Sequence, residues 1–341
     1  MAGLDFLADD SMKYLILSCL LLISAVCFGQ TTDSLAIRLE NYKYPYPVQT
    51  LQTTVQGQQV EVAYIDVATA KPANKVVVLF HGKNFPAAYW KGTIRALNDA
   101  GYRVIAPDAL GFGKSSKLQL QYSFSLLASL VKEILDTLNI DKVSVVGHSM
   151  GGMLAARFAL TYPKMVSALV LEDALGLEDW RAEGVPYRKV DDWYADEKKA
   201  TYESILQYHK TSYYPVWKEE YSKWVKVQYG VTLSKNFDQL ARVNALTYDM
   251  IFTQPVVHEF KNIKAPTLVI VGSEDKTRLA RNTPDSIMKK LGHYRELGKR
   301  TADAIPNAKL ITYEGVGHVP HLEIPQQFHA DLINFLKANA K

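Results

Sequence analysis

VVGHSMGGM, residues 145–153, ends an apolar run on Gly147-His148-Ser149-Met150-Gly151-Gly152. The residues before it, Lys142–Val146, are rich in β-branched side chains and read as a buried strand. The residues after it, MGGMLAARFAL, read as a helix over Ser149–Tyr162. A serine at such a junction is either part of a packing turn or the tip of a sharp elbow that exposes a nucleophile. Gly-x-Ser-x-Gly alone is a weak pattern. Between a buried strand and a helix it has the context that a nucleophile elbow requires. The glycines relieve the crowding of a tight turn, and Ala155, Ala156 and Ala159 let the helix lie close to a sheet. Ser149 then stands at a helix N-terminus, where unpaired backbone N–H groups favour developing negative charge.

Working outward, the pattern alternates. Thr50–Val55 and Gln59–Val67 flank Gly57 and read as a hairpin. Lys75–Phe80, Tyr102–Ala106 and Ala168–Leu171 read as strands, and Ala87–Ala100 and Ser123–Leu138 as helices. After a gap come a strand at Thr267–Val271, a helix at Tyr294–Ala304, a strand at Lys309–Thr312 and a helix at Gln326–Ala338. This order predicts an α/β fold, a mostly parallel sheet with helices on both faces. The gap, residues 176–257, is helical in pattern. It holds four of the five tryptophans (Trp180, Trp193, Trp217 and Trp224) and nine of the twenty tyrosines. It reads as a helical cap over the carboxyl edge of the sheet, where such sheets bind ligands. Packing of those helices to one side is the alternative. The core is then residues 49–175 and 258–341, with 31–48 as a lead-in.

A serine hydroxyl attacks only when a base removes its proton. Of the eight histidines, His318 sits in Gly315-Val316-Gly317-His318 just past the last predicted strand, on a loop able to deliver an imidazole. His321 reads as a helix-start or supporting contact. His148 is the variable residue of the elbow and is expected to point elsewhere, and His209 and His258 belong to the cap and its edge. An imidazole needs an acid to fix its tautomer. Asp275, after the strand LVIV, is the first choice, Asp173 the second, and Glu274 the neighbour that competes with it. Oxyanion donors are expected from the backbone N–H of Met150 and from Lys83, in the loop after KVVVLF. The Lys83 side chain reads as a solvated loop lysine, with attraction of an anionic substrate as the alternative. No histidine pair has metal-ligand spacing, so no metal is implied, and no cofactor motif is present.

The net charge of +4 is mild and the basic residues are scattered, which speaks against a nucleic-acid partner. Leu15–Phe28 is an uncharged run preceded by Lys13, short for a bilayer span. Residues 1–30 read as a secretory signal peptide, with Met12 a possible true start and residues 1–11 a leader. Export to the periplasm or medium is the expectation, with membrane contact only through that segment if it is uncleaved. Both cysteines, Cys19 and Cys27, lie inside it, so the remaining chain has no thiol chemistry.

At this point the chain resembles the α/β-hydrolase superfamily. The resemblance rests on His81-Gly82, Pro107-Asp108-Ala109-Leu110-Gly111-Phe112-Gly113-Lys114-Ser115-Ser116, Gly147–Gly152, Gly272–Asp275, and Gly317-His318 with Pro320-His321-Leu322-Glu323. It implies an eight-stranded sheet with a cap inserted after strand six, and Ser149, Asp275 and His318 in the roles derived above. Epoxide hydrolases and haloalkane dehalogenases, which resemble this layout, place an aspartate where Ser149 stands, so their reactions are disfavoured. Hydrolysis of carboxylic esters is the first expectation. Carbon–carbon bond hydrolysis or cofactor-free perhydrolysis on the same residues is the second, and a low-turnover ligand-binding protein the third. The expected partner is a small, partly apolar or aromatic substrate. The long segment between Asp275 and His318 either borders the pocket or is a surface insertion.

Overall fold

A computed structural model describes residues 33–69 and 75–339. The proposed signal segment lies outside the described residues. One eight-stranded sheet organises the chain: β1 (Val48–Val55), β2 (Gln58–Val67), β3 (Val76–Phe80), β4 (Arg103–Pro107), β5 (Val143–His148), β6 (Val166–Glu172), β7 (Thr267–Gly272) and β8 (Ala308–Tyr313). The spatial order is β1-β2-β4-β3-β5-β6-β7-β8. β1–β2 and β2–β4 pair antiparallel and the other neighbours pair parallel. The β1–β2 hairpin turns on Gln56 and Gly57, both at positive φ, as a two-residue turn between right-twisted strands demands.

The central strands β3, β5 and β7 are buried at every residue. That is why they read as continuous apolar runs and not as alternating ones. Their side chains still divide by parity. Val78, Phe80 and Val145 join one core, with α2 (Phe124–Thr137), α3 (Met150–Thr161) and α8 (Tyr294–Ala304). Val77, Leu79 and Val146 join a second core, with α1 (Lys91–Asp99) and α9 (Pro325–Asn339). Period-two alternation therefore puts helices on both faces. The expected helix over 87–100 begins instead as a tight 3-10 turn, Ala87–Trp90. There the Ala87 N–H is taken by the Asp108 carboxylate at 2.7 Å.

Between β6 and β7 the chain forms α4 (Val190–Glu197), α5 (Tyr202–Tyr208), α6 (Ser222–Thr232) and α7 (Phe237–Thr253), without a strand among the described residues. Trp193 of α4 stacks on Tyr248 of α7 at 4.6 Å. Trp180, Trp193 and Trp224 are buried, so much of the aromatic excess packs the cap. The lead-in crosses it as a strap. Leu35 donates to the Gly230 carbonyl on α6 at 2.9 Å, and Tyr44 Oη donates to Asp108 on the core at 2.7 Å.

Candidate active site

The carboxyl ends of five strands converge beneath the cap. β3 leads to the Gly82 loop, β5 to Ser149, β6 to Asp173, β7 to Asp275 and β8 to His318. Ser149 has φ 57° and ψ −123°, a conformation that costs a non-glycine residue about 1–3 kcal/mol. The surroundings hold it there. Its N–H donates to Glu172 O at 3.1 Å, and its carbonyl accepts from Gly152 at 2.8 Å and Leu175 at 3.0 Å. The flanking glycines are steric necessities. A Cβ on Gly147 would lie 2.2 Å from the Gly151 oxygen, and one on Gly151 would lie 2.2 Å from the Phe80 oxygen.

His318 Nδ1 donates to Asp275 Oδ2 at 2.6 Å, and both side chains are fully buried. Asp275 Oδ1 accepts from the Thr277 N–H at 2.7 Å. With Nδ1 as donor, Nε2 carries the lone pair, and it has no hydrogen-bond partner. The backbone on both sides of His318 is held by one carboxylate. Glu323 accepts from Gly317 N and Val319 N, each at 3.1 Å, and burial pushes its carboxyl up to about 7. The Tyr213 ring from the cap stacks on His318 at 4.8 Å, and its carbonyl takes the His318 N–H at 2.8 Å.

Of the competing acids, Glu274 is exposed. Asp173 is buried and accepts from the Gly272 N–H at 2.8 Å. Burial, then the nearby Asp275 charge, push its carboxyl well above the usual range, which favours its protonated form behind Asp275.

The loops bearing Asp275 and His318 touch through glycine. A Cβ on Gly272 would lie 2.0 Å from the Gly317 oxygen. Gly272→Ala must part these loops, and we expect turnover to fall by about 10²-fold or more, as for a misplacement near 1 Å. Kinetics beside a thermal melt check it: a variant with wild-type kcat contradicts this reading of the contact.

The sequence reading has His148 pointing elsewhere, yet its ring lies against the His318 loop. Its Nε2 donates to the His318 carbonyl at 2.7 Å, so Nδ1 is the acceptor, and Tyr89 Oη donates to it at 3.0 Å. Tyr89 Oη in turn accepts from Gly82 N at 3.1 Å. The elbow histidine thus ties the Gly82 loop to the His318 loop. Burial, with His318 and His321 nearby, drives its pKa well down and keeps it neutral. His321 pairs with Glu172 at 2.7 Å and stacks on Trp90 at 4.2 Å, a buried supporting contact. His209 bonds Gln228 inside the cap, and His258 meets Asp179 at its edge. Neither reaches Ser149 or His318 by a hydrogen bond.

Met150 follows Ser149 in the chain, and Lys83 follows Gly82, whose loop meets the elbow. Met150 opens α3, where first-turn amides lack intrahelical partners. The Gly82 loop abuts the elbow so closely that a Cβ there would lie 3.2 Å from the Ser149 Cβ. The Lys83 side chain is half-buried and does not simply extend into solvent as the sequence suggested. It runs under the cap, with Nζ 3.8 Å from the Tyr248 ring centroid. A cavity of about 580 Å³ opens there, walled by Lys83, Phe85, Phe112, Trp193, Ile205 and Tyr248 among others. Arg278, Leu279 and Arg281 also line it, so the long segment after Asp275 borders the pocket.

Comparison with known proteins places this arrangement. A model of the alpha/beta hydrolase fold matches residues 75–325. The chain belongs to the alpha/beta hydrolase family. A crystal structure of a probable hydrolytic enzyme from Pseudomonas aeruginosa is 46% identical, with a TM-score of 0.88, over 89% of this chain and 99% of that one. A 2-hydroxy-6-oxononadienedioate/2-hydroxy-6-oxononatrienedioate hydrolase of Paraburkholderia phymatum is 29% identical over 82% of this alpha/beta hydrolase and 92% of its own length. Lipase 1 of Psychrobacter immobilis is 27% identical over 89% and 94%.

Proposed function

We propose that this alpha/beta hydrolase is a serine hydrolase of carboxylic esters working through Ser149, His318 and Asp275. The observation that carries the reading is the strained Ser149 at the strand–helix junction, on the same sheet edge as a buried histidine locked by its acid. Ser149 Oγ attacks the acyl carbon and His318 Nε2 takes its proton. Asp275 holds the imidazole with Nε2 as the base and stabilises the imidazolium. The oxyanion is met by the N–H groups of Lys83 and Met150, each worth about 3–4 kcal/mol in the transition state. The imidazolium protonates the leaving alcohol. A water, deprotonated by His318, then releases the acid and restores Ser149.

The similarity to a hydrolase named for dienedioate substrates supports a second reading, carbon–carbon bond cleavage by the same residues. Fluorophosphonate labelling with peptide mapping tests the shared core: the probe is expected on Ser149. Labelling elsewhere, or none, refutes both. Among proteins that label, turnover of 4-nitrophenyl esters against a vinylogous diketone acid separates ester from carbon–carbon hydrolysis. Labelling with neither turnover returns the chain to a ligand-binding role. Through its leader, the protein is proposed to act outside the cytoplasm.

A further inference from the structure

A lysine drawn under a cap normally finds a carboxylate, because an ammonium partly removed from water is costly without one. Lys83 has none. Among the described residues its Nζ makes no hydrogen bond or ion pair and meets only the ring faces of Tyr248, at 3.8 Å, and Phe112, at 5.9 Å. Glu197 on α4 is within electrostatic range, but its Oε2 is engaged by Asn244 Nδ2 at 2.7 Å. The cavity wall as a whole is unbalanced, with six lysines and arginines against only Asp196 and Glu197. Asp196 is already shared, between Arg188 at 2.5 Å and Arg281 at 3.3 Å. The pocket therefore has positive charge to spare on the loop that abuts the serine, between aromatic walls that are less polar than water and so strengthen electrostatics.

We propose that the substrate carries a carboxylate besides its reacting carbonyl, and that the Lys83 ammonium binds it in this cavity, aided by Arg281. This rests on the hydrolase reading and names its substrate class: an acid with an apolar spacer, reacting at its far end. One residue then serves both ends of the substrate. Its N–H faces the oxyanion, and its side chain, one flexible four-carbon stem away, holds the anion.

Ser149→Ala protein, which cannot turn ligand over, isolates binding. Calorimetry with 4-phenylbutyrate and its neutral amide is expected to give the acid at least about tenfold tighter, as for a charge-assisted contact in a half-buried site. Adding Lys83→Met should collapse that ratio towards one. Adding Glu197→Gln removes the opposing charge in range and should tighten the acid about threefold or more, which keeps the test open if the Lys83 variant fails to fold. Lys83 is faced by Glu197 from α4, Arg281 from the segment after β7 and the Tyr248 phenol from α7. Burial lowers its pKa to about 8, so acid binding should weaken as pH rises through 8 while amide binding does not.

Equal affinity for acid and amide, an acid preference that survives Lys83→Met, or no binding of either overturns the proposal. The hydrolase reading is judged separately by fluorophosphonate labelling of the wild-type protein. Labelling without acid preference removes only the anion site, and acid preference without labelling removes only the hydrolase.

Discussion

Ser149→Ala is expected to abolish ester turnover, with kcat down by about 10⁴- to 10⁶-fold and covalent labelling lost, because the remaining groups have nothing to activate. Ser149→Gly should be equally inactive and more stable. Glycine accepts the positive φ seen at this position without strain. Relief of about 1–2 kcal/mol is expected, roughly 2–4 °C in Tm for a chain of this size class. The two variants separate strain from chemistry. A Gly variant that melts below the Ala variant would show that the surroundings do not impose the backbone geometry. An Ala variant that still labels would remove Ser149 as nucleophile.

The second large effect concerns two buried carboxyls. Asp275→Asn keeps the shape but reverses what it offers to His318 Nδ1, so the wrong tautomer is favoured; about a 10⁴-fold loss in kcat is expected. Asp173→Asn should cost less than about tenfold. Its observed duty is to accept the Gly272 N–H through one oxygen, which an amide oxygen also does, and burial already favours the uncharged form of the group it replaces. Steady-state kinetics on both variants decide the matter. Comparable losses, or a larger one at Asp173, would move the acid to the end of β6.

The other neutral groups follow the same physics. His81 accepts the Ala109 N–H on Nε2 at 3.0 Å and donates from Nδ1 to the Gly82 carbonyl at 2.8 Å. It shapes the Gly82 loop as an uncharged ring, and burial lowers its pKa accordingly. The Asp108 carboxylate gathers Ala87 N, Lys114 N and Tyr44 Oη. It explains the glycine at 113: a Cβ there would sit 2.0 Å from the Asp108 carboxyl carbon.

Much of the fold was legible because its signals are local. Strands buried on both faces leave apolar runs that no other element of that length needs. The spacing of leucines on α2 sets its inner face, and Ser123 caps it by accepting from Leu126 N at 3.0 Å. The alternation of elements, the cap's place in the chain and the positions of Ser149, Asp275 and His318 after strands follow from such local patterns, whereas the spatial order of the strands is set by their tertiary pairing. The candidate site was legible to the extent that each of those residues ends a readable strand.

What the sequence by itself determined, then, was the alternation of elements, the elbow and the residues offered at the carboxyl edge, since each depends on neighbours a few positions away. Only the tertiary structure decided that Lys83 lies against Tyr248 under the cap, that His148 bridges two loops, that burial raises the Asp173 pKa behind Asp275 and that Tyr213 covers His318. Those outcomes depend on burial and on contacts between residues far apart in the chain, and a side chain's charge state and partners are properties of that assembled surrounding.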